Sequence, residues 1–250
     1  MLFYVLWLYG LNIYICDMKY GCLFVFFLGF NAFLFGQNRS SDSTTVDEKY
    51  REDQFYLSVT YNLIGKKPTG LSQNGFSSGI HVGFIRDMPI NKARNVAFGI
   101  GFGLSTNSYN QTLLISENPD KTYAYSILDK NLMSFSKNKF STYILEFPIE
   151  FRWRTSTPVD YNFWRIYTGI KCGYLIYDSS KFKSTEGDIK LSNISDFNEF
   201  KYGFTMSVGY SNINVHFYYE LNDIFKNEAK IDDKHIGMNA VKIGLIYYML

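Results

Sequence analysis

Residues 96–105 read "VAFGIGFGLS". Val96, Phe98, Ile100, Phe102 and Leu104 occupy one parity, while Ala97, Gly99, Gly101, Gly103 and Ser105 occupy the other. A period of two marks a β-strand with two unlike faces. One of these faces is wholly apolar and the other is nearly bare of side chains. A soluble sandwich turns its second face to water and fills it with Lys, Glu, Thr and Asp. A run of glycine and alanine instead suits a crowded interior that other groups approach closely. The apolar row must then look outward, and lipid is the solvent that accepts it there. The stretch reads as one stave of a small membrane barrel.

Other stretches carry the same alternation. "FYLSVTYNLI" at 55–64 sets Phe55, Leu57, Val59, Tyr61 and Leu63 against Tyr56, Ser58, Thr60 and Asn62, a pattern that alone fits a sandwich equally well. "FSSGIHVGF" follows at 76–84, "STYILEFPIEFRWR" at 141–154, "WRIYTGIKCGYLIY" at 164–177, "YGFTMSVGY" at 202–210, "INVHFYYELN" at 213–222 and "AVKIGLIYYML" at 240–250. With 96–105 they make eight strands. The connections after the first, third, fifth and seventh are long (65–75, 107–139, 178–201 and 223–237), and those after the second, fourth and sixth are short ("RDMPINKARN", "TSTPVDYN", "SN"). Long loops on one side and short turns on the other are the plan of an outer-membrane barrel, with the turns in the periplasm. Tyr61, Trp153, Tyr161, Trp164, Tyr177, Tyr210, Tyr219 and Tyr247 gather near strand ends, as interfacial girdles do. The fold expected is all-β, an eight-stranded antiparallel transmembrane barrel over 54–250 with short periplasmic turns and longer extracellular loops.

Composition agrees. Aromatic residues make up 19% of the 250, with 21 Tyr and 23 Phe, more than a soluble core needs. Net charge is +2 without a basic block, which gives nucleic acid no footing. Uninterrupted apolar sequence lies almost entirely before Gly36. From Met18, a short start with Lys19, an apolar run over 21–35 and the polar "QNRSSDSTT" form a cleavable export signal. Residues 1–36 are therefore expected to be a signal region with its true start at Met18, and 37–53 a flexible periplasmic tail. A pair of membrane helices is the rival, but residues 2–15 fall short of the roughly 20 that span a bilayer. Cys16 and Cys22 fall in this leader and leave Cys172 alone, so no disulfide framework or cysteine metal site is available.

Several phrases, "GFSSGIHVGFIRDMPINKARN", "NKFSTYILEFPIEFRWRTSTP", "FWRIYTGIKCGYL" and "HFYYELNDIF" among them, resemble the PorT family of outer-membrane proteins. The likeness runs from Tyr50 to the end, and "EFRWRTSTP" followed by "FWRIYTG" is its most specific part. It implies a role in type IX protein secretion, the export system of gliding and periodontal-type didermic bacteria, with other secretion components as partners and without catalytic residues or cofactors. The end "GLIYYM" is similar to the terminal-strand signal read by barrel-insertion machinery.

Eight strands enclose a lumen that side chains fill. The charged residues expected inside are Glu146, Glu150, Arg152, Arg154, Arg165, Lys171, Glu220 and Lys242. Symmetric pairing about "TSTPVDYN" would oppose Glu146 to Lys171 and set Glu150 a diagonal step from Arg165. Uncompensated charge in a dry lumen is very costly, so an internal ion-pair network is the structural expectation. His81 and His216 fall on inward positions without metal-ligand spacing. The turn holding Arg86, Asp87, Lys92 and Arg94 reads either as a solvated headgroup-proximal turn or as a docking surface for a periplasmic secretion component. Alternation persists at Leu113, Ile115, Tyr123, Tyr125 and Ile127, which suggests a hairpin above the membrane that either offers an edge to a partner or shields the mouth. The expectation is a non-enzymatic barrel acting by protein–protein recognition. A lipid-modifying barrel enzyme, for which only His235 sits near a rim, and a general porin-like surface barrel are the alternatives.

Overall fold

The computed structural model describes residues 53–129, 134–155, 163–185 and 187–249, all within the unit Val46–Leu250. The expected signal region and nearly all of the expected tail lie outside them. Thirteen strands follow in order: β1 (Gln54–Gly65), β2 (Ser78–Pro89), β3 (Val96–Asn110), β4 (Leu113–Glu117), β5 (Tyr123–Ile127), β6 (Phe135–Arg154), β7 (Trp164–Ser184), β8 (Asp188–Ser192), β9 (Phe200–Tyr210), β10 (Ile213–Glu220), β11 (Lys230–Ile231), β12 (Lys234–His235) and β13 (Asn239–Met249). Eight of them form the antiparallel ring β1, β2, β3, β6, β7, β9, β10, β13, which β1 closes by pairing with β13. Every edge within the ring is thereby satisfied, the condition for crossing lipid with strands. Gln54 is level with Ile85 at the start of the circuit, and the ladder returns to β1 near Ile64, a stagger of about ten residues that tilts the strands.

Parity sorts the faces as the alternation requires. Val59, Ile100, Phe102, Ile149, Ile170 and Leu245 are exposed, while Ser58, Thr60, Ser105, Thr205 and Ser207 are buried inside. The glycines of β3 have partners in the lumen. A Cβ at Gly99 would lie 2.8 Å from Arg152 Cδ, and one at Gly101 would lie 2.7 Å from Ile85 Cγ1. Tyr56 lies similarly over Gly83. Large side chains from neighbouring strands thus lie on the bare stave and fill the lumen.

Four strand lengths depart from expectation, β3 by running on from Ser105 to Asn110. β2 continues through Arg86 and Asp87, because the alternation persists beyond Phe84; the turn shrinks to the residues between Ile90 and Val96, whose backbones hydrogen-bond at 3.0 Å. β6 and β7 begin or end well beyond the expected 141–154 and 164–177 and rise past the barrel as a ribbon, with β8 added as a third strand. Asp53, assigned above to a free tail, is tied down: its Oδ1 accepts from the Asp87 amide at 2.8 Å.

The long loops fold over the mouth. β4 and β5 form the hairpin foreseen, paired to each other. They shield rather than project. Leu113 and Ile115 are fully buried with Phe140, Phe197, Phe225, Ile236 and Met238 in an apolar cluster drawn from every long loop, and Tyr123 and Tyr125 pack against it. Tyr125 donates to Asp196 at 2.8 Å; burial and that carboxylate raise its phenolic pKa.

Candidate functional site

Beneath this cap the lumen holds stacked polar layers. The floor centres on Asp87. Its carboxylate accepts from Arg152 Nη1 at 2.9 Å and from Arg154 through Nη1 at 2.9 Å and Nη2 at 2.8 Å, with all three side chains fully buried. Arg152 also donates to Gln54, lies 3.6 Å from Glu150 and stacks 4.1 Å from the Tyr167 ring centroid. Arg154 Nε donates to the Arg94 carbonyl at 3.0 Å, which closes the periplasmic turn against the floor. Arg165 donates to the Ser211 carbonyl and lies 4.4 Å from the Phe163 ring centroid.

Glu146 binds His81 at 2.9 Å and Lys171 at 3.0 Å in the middle layer. His216 pairs with Ser207 at 3.0 Å. Higher still, Glu220 meets Lys201 at 3.3 Å, and Lys242 lies 5.0 Å from the Tyr218 ring centroid. Between these layers is a chamber of about 20 Å³ lined by Glu146, Lys171, Lys201, Tyr218, Glu220 and Lys242, among others. That is room for about one water molecule. Coulomb attraction in so dry a space is strong, and these pairs offset the cost of holding the charges away from water.

All eight charged residues expected inside are buried. Glu146 and Lys171 meet, although not as direct cross-strand neighbours: Glu146 opposes Gly173 and Lys171 opposes Pro148, so the lysine reaches diagonally. Glu150 and Arg165 are not brought together. Arg165 opposes Arg154, because the ladder sits two residues off the symmetric register, and Glu150 turns to Arg152 instead. Asp87 is corrected from the periplasmic turn to the lumen floor, since it shares the parity of His81 and Ile85. Arg86 and Lys92 stay exposed, whereas Arg94 is partly buried. Lys201 was missed because it was placed at the end of a loop; its parity with Gly203, Thr205 and Ser207 was the available signal.

His235 hydrogen-bonds Asp223 at 3.1 Å beside the mouth, and its Nδ1 has no hydrogen-bond partner. Among the described residues no group of three or more His, Cys, Asp or Glu side chains could hold a metal ion.

Trp164 and Tyr210 meet edge-to-face outside at the floor level, with ring centroids 5.7 Å apart, and Tyr143 and Tyr177 pair at 5.6 Å near the mouth. Tyr161 lies outside the described residues. Between Trp153 and Tyr143 the outward row of β6 is Phe151, Ile149, Phe147 and Leu145, and Phe151, Ile149 and Phe147 are exposed. At ~3.3 Å per residue and a tilt near 40°, that row is about 25 Å tall, the height of an outer-membrane apolar band.

Solved structures similar to the chain include that of Ail, the attachment invasion locus protein of Yersinia pestis, at 13% identity over 79% of this chain and 99% of Ail, with a TM-score of 0.33. Ail in complex with the heparin analogue sucrose octasulfate is similar at 15% identity over 79% of this chain and 99% of that one, with a TM-score of 0.35. A mutant porin of Rh. blastica is similar at 8% identity over 80% and 100%, with a TM-score of 0.20. The fold rests on the strand register above rather than on these likenesses. No curated protein matches. The model of the family described as outer membrane protein beta-barrel domain matches residues 35–226, which include the floor, the middle layer and most of the cap, and the chain belongs to that family.

Proposed function

We propose that this outer-membrane barrel is an accessory or assembly component of type IX secretion, of the PorT kind, working by recognition at its surfaces rather than by transport or catalysis. The observation that carries the reading is the filled lumen. Asp87, Arg152 and Arg154 close the floor, the chamber above holds about 20 Å³, and an apolar cap covers the mouth. A barrel filled in this way offers its partners turns and loops. The paired phrases "EFRWRTSTP" and "FWRIYTG" supply the pathway, and both lie on the hairpin that carries the floor arginines.

The exposed Lys92, on a turn fixed from inside by Arg154, and Arg86, near the adjoining end of β2, form the docking surface toward other secretion components in the periplasm. Export depends on the leader in residues 1–36, and insertion on the terminal strand. Deleting the gene and measuring surface delivery of proteins that bear the type IX C-terminal signal tests the proposal. Delivery should be lost and then restored by the intact gene; normal delivery in the deletion strain overturns it.

A further inference from the structure

The ribbon of β6, β7 and β8 above the barrel is two-faced. Phe140 and Leu191 turn inward to the cap, and Phe182 is buried beside Phe135. On the outward face the strand register aligns lysines: Lys139 opposes Lys181, which opposes Lys190, and one row higher Lys137 opposes Lys183. Like charges directly across a ladder repel. A surface evolved only for solubility intersperses the two signs.

Among the described residues these lysines are only slightly neutralised. Asp188 reaches Lys183 at 3.6 Å, with both side chains about half exposed, and Lys139 Nζ donates to Ser108 at 3.4 Å. Lys137, Lys181 and Lys190 have no ion pair among the described residues. Burial, then the neighbouring Lys137 and Lys181, lowers the ammonium pKa of Lys139. In a chain with a net charge of only +2, five lysines around one acid among the described residues are a local excess that calls for a polyanion.

Position names the polyanion. The Tyr143–Tyr177 pair marks the outer interface of the membrane. Lys139 lies four residues beyond Tyr143 on the same outward row, about 10 Å above the girdle at a strand tilt near 40°. Ser141, Ser179 and Ser192 fill the intervening row, with Ser179 opposite both of the others. The lysines therefore look sideways at headgroup height rather than upward into the medium.

We propose that this lysine face binds the phosphorylated headgroup of an outer-leaflet glycolipid, with Lys139, Lys181 and Lys190 as the main contacts and Lys137 and Lys183 as the rim. The site depends on the barrel lying in the outer membrane with its long loops outside, and not on a role in secretion, so either conclusion can fail alone.

The test uses the purified full chain in neutral detergent, checked for heat-modifiable gel migration, with bound lipid counted by native mass spectrometry. The probes are bis-phosphorylated lipid A, dephosphorylated lipid A, inorganic phosphate and heparin. Phosphorylated lipid A should bind about tenfold or more tightly than the dephosphorylated form, and K139Q/K181Q/K190Q should lose about that factor. K137Q/K183Q should lose less, and Lys226→Gln, on a different loop, nothing. The triple variant relieves repulsion, so its heat-modifiable migration should persist. Equal binding by wild type and triple variant overturns the proposal, as does equal binding of the two lipid A forms. Competition by free phosphate at lipid concentrations would make this a simple phosphate site, and lysine-dependent binding of heparin alone would make it a polysaccharide site; either also overturns the assignment. Loss of heat-modifiable migration in the wild type counts against the barrel itself.

Discussion

Strands β6 and β7 each pass through two environments, and their polarity reverses between them. In their lower halves, Phe147, Ile149, Phe151 and Ile170 face out, while Glu146, Glu150, Arg152 and Lys171 face in. In their upper parts, Phe140 and Phe182 face in, while Lys137, Lys181 and Lys183 face out. The switch falls at the irregularity between Tyr143 and Ile144. Below it the solvent outside is lipid and the core is ionic; above it the solvent is water and the core is a conventional apolar one. The two cores should therefore fail differently. An ionic core is fragile to loss of one partner, since the charge left behind stays buried. An apolar core loses in proportion to the volume removed.

The largest effect is expected at Asp87→Ala. It strips two buried guanidiniums of their shared carboxylate, at a cost toward the upper end of the roughly 3 to 5 kcal/mol typical of a broken buried pair. Urea unfolding of the refolded protein in detergent measures it, with heat-modifiable migration as readout. Next is Phe140→Ala, about 3 to 4 kcal/mol, from the centre of the cap. If the cores are separate, limited proteolysis should cut the cap loops of this variant while migration of the barrel stays heat-modifiable; loss of both together would show that the two cores unfold as one. Val59→Arg, on the exposed outward row, should cost about 2 to 4 kcal/mol if it sits near the bilayer midplane. Measuring its unfolding in lipid vesicles against detergent sharpens the point, because the penalty belongs to the lipid. Smallest is Lys181→Gln, within about 0.5 kcal/mol and on the stabilising side, since it removes a like-charge row; thermal unfolding reads its sign.

The ring of eight strands was legible because alternation with a bare second face has few physical explanations. Burial of Glu146, Glu150, Arg152, Arg154, Arg165, Lys171, Glu220 and Lys242 followed from parity alone. Their partners did not. Parity fixes a face, whereas pairing needs register, and the β6–β7 ladder sits two residues off the symmetric choice. Asp87 was hidden by the nearby Pro89 and the turn-like run after it, although β2 continues through Asp87 to Pro89. The cap was out of reach for another reason. Its residues come from every long loop, and no local period joins Leu113, Phe197, Phe225 and Met238.

The membrane surface crosses β6 between Tyr143 and Lys139. The direct measurement is a single-cysteine scan of the outward row, at positions 151, 149, 147, 145, 143, 141, 139 and 137, in a chain whose Cys16, Cys22 and Cys172 are replaced by serine. Each variant carries an environment-sensitive fluorophore and is reconstituted in vesicles with brominated acyl chains. Strong quenching is expected from 151 to 145, a sharp fall at 143, and none at 139 and 137. Quenching that continues through 139, or that is absent along the whole row, would contradict it.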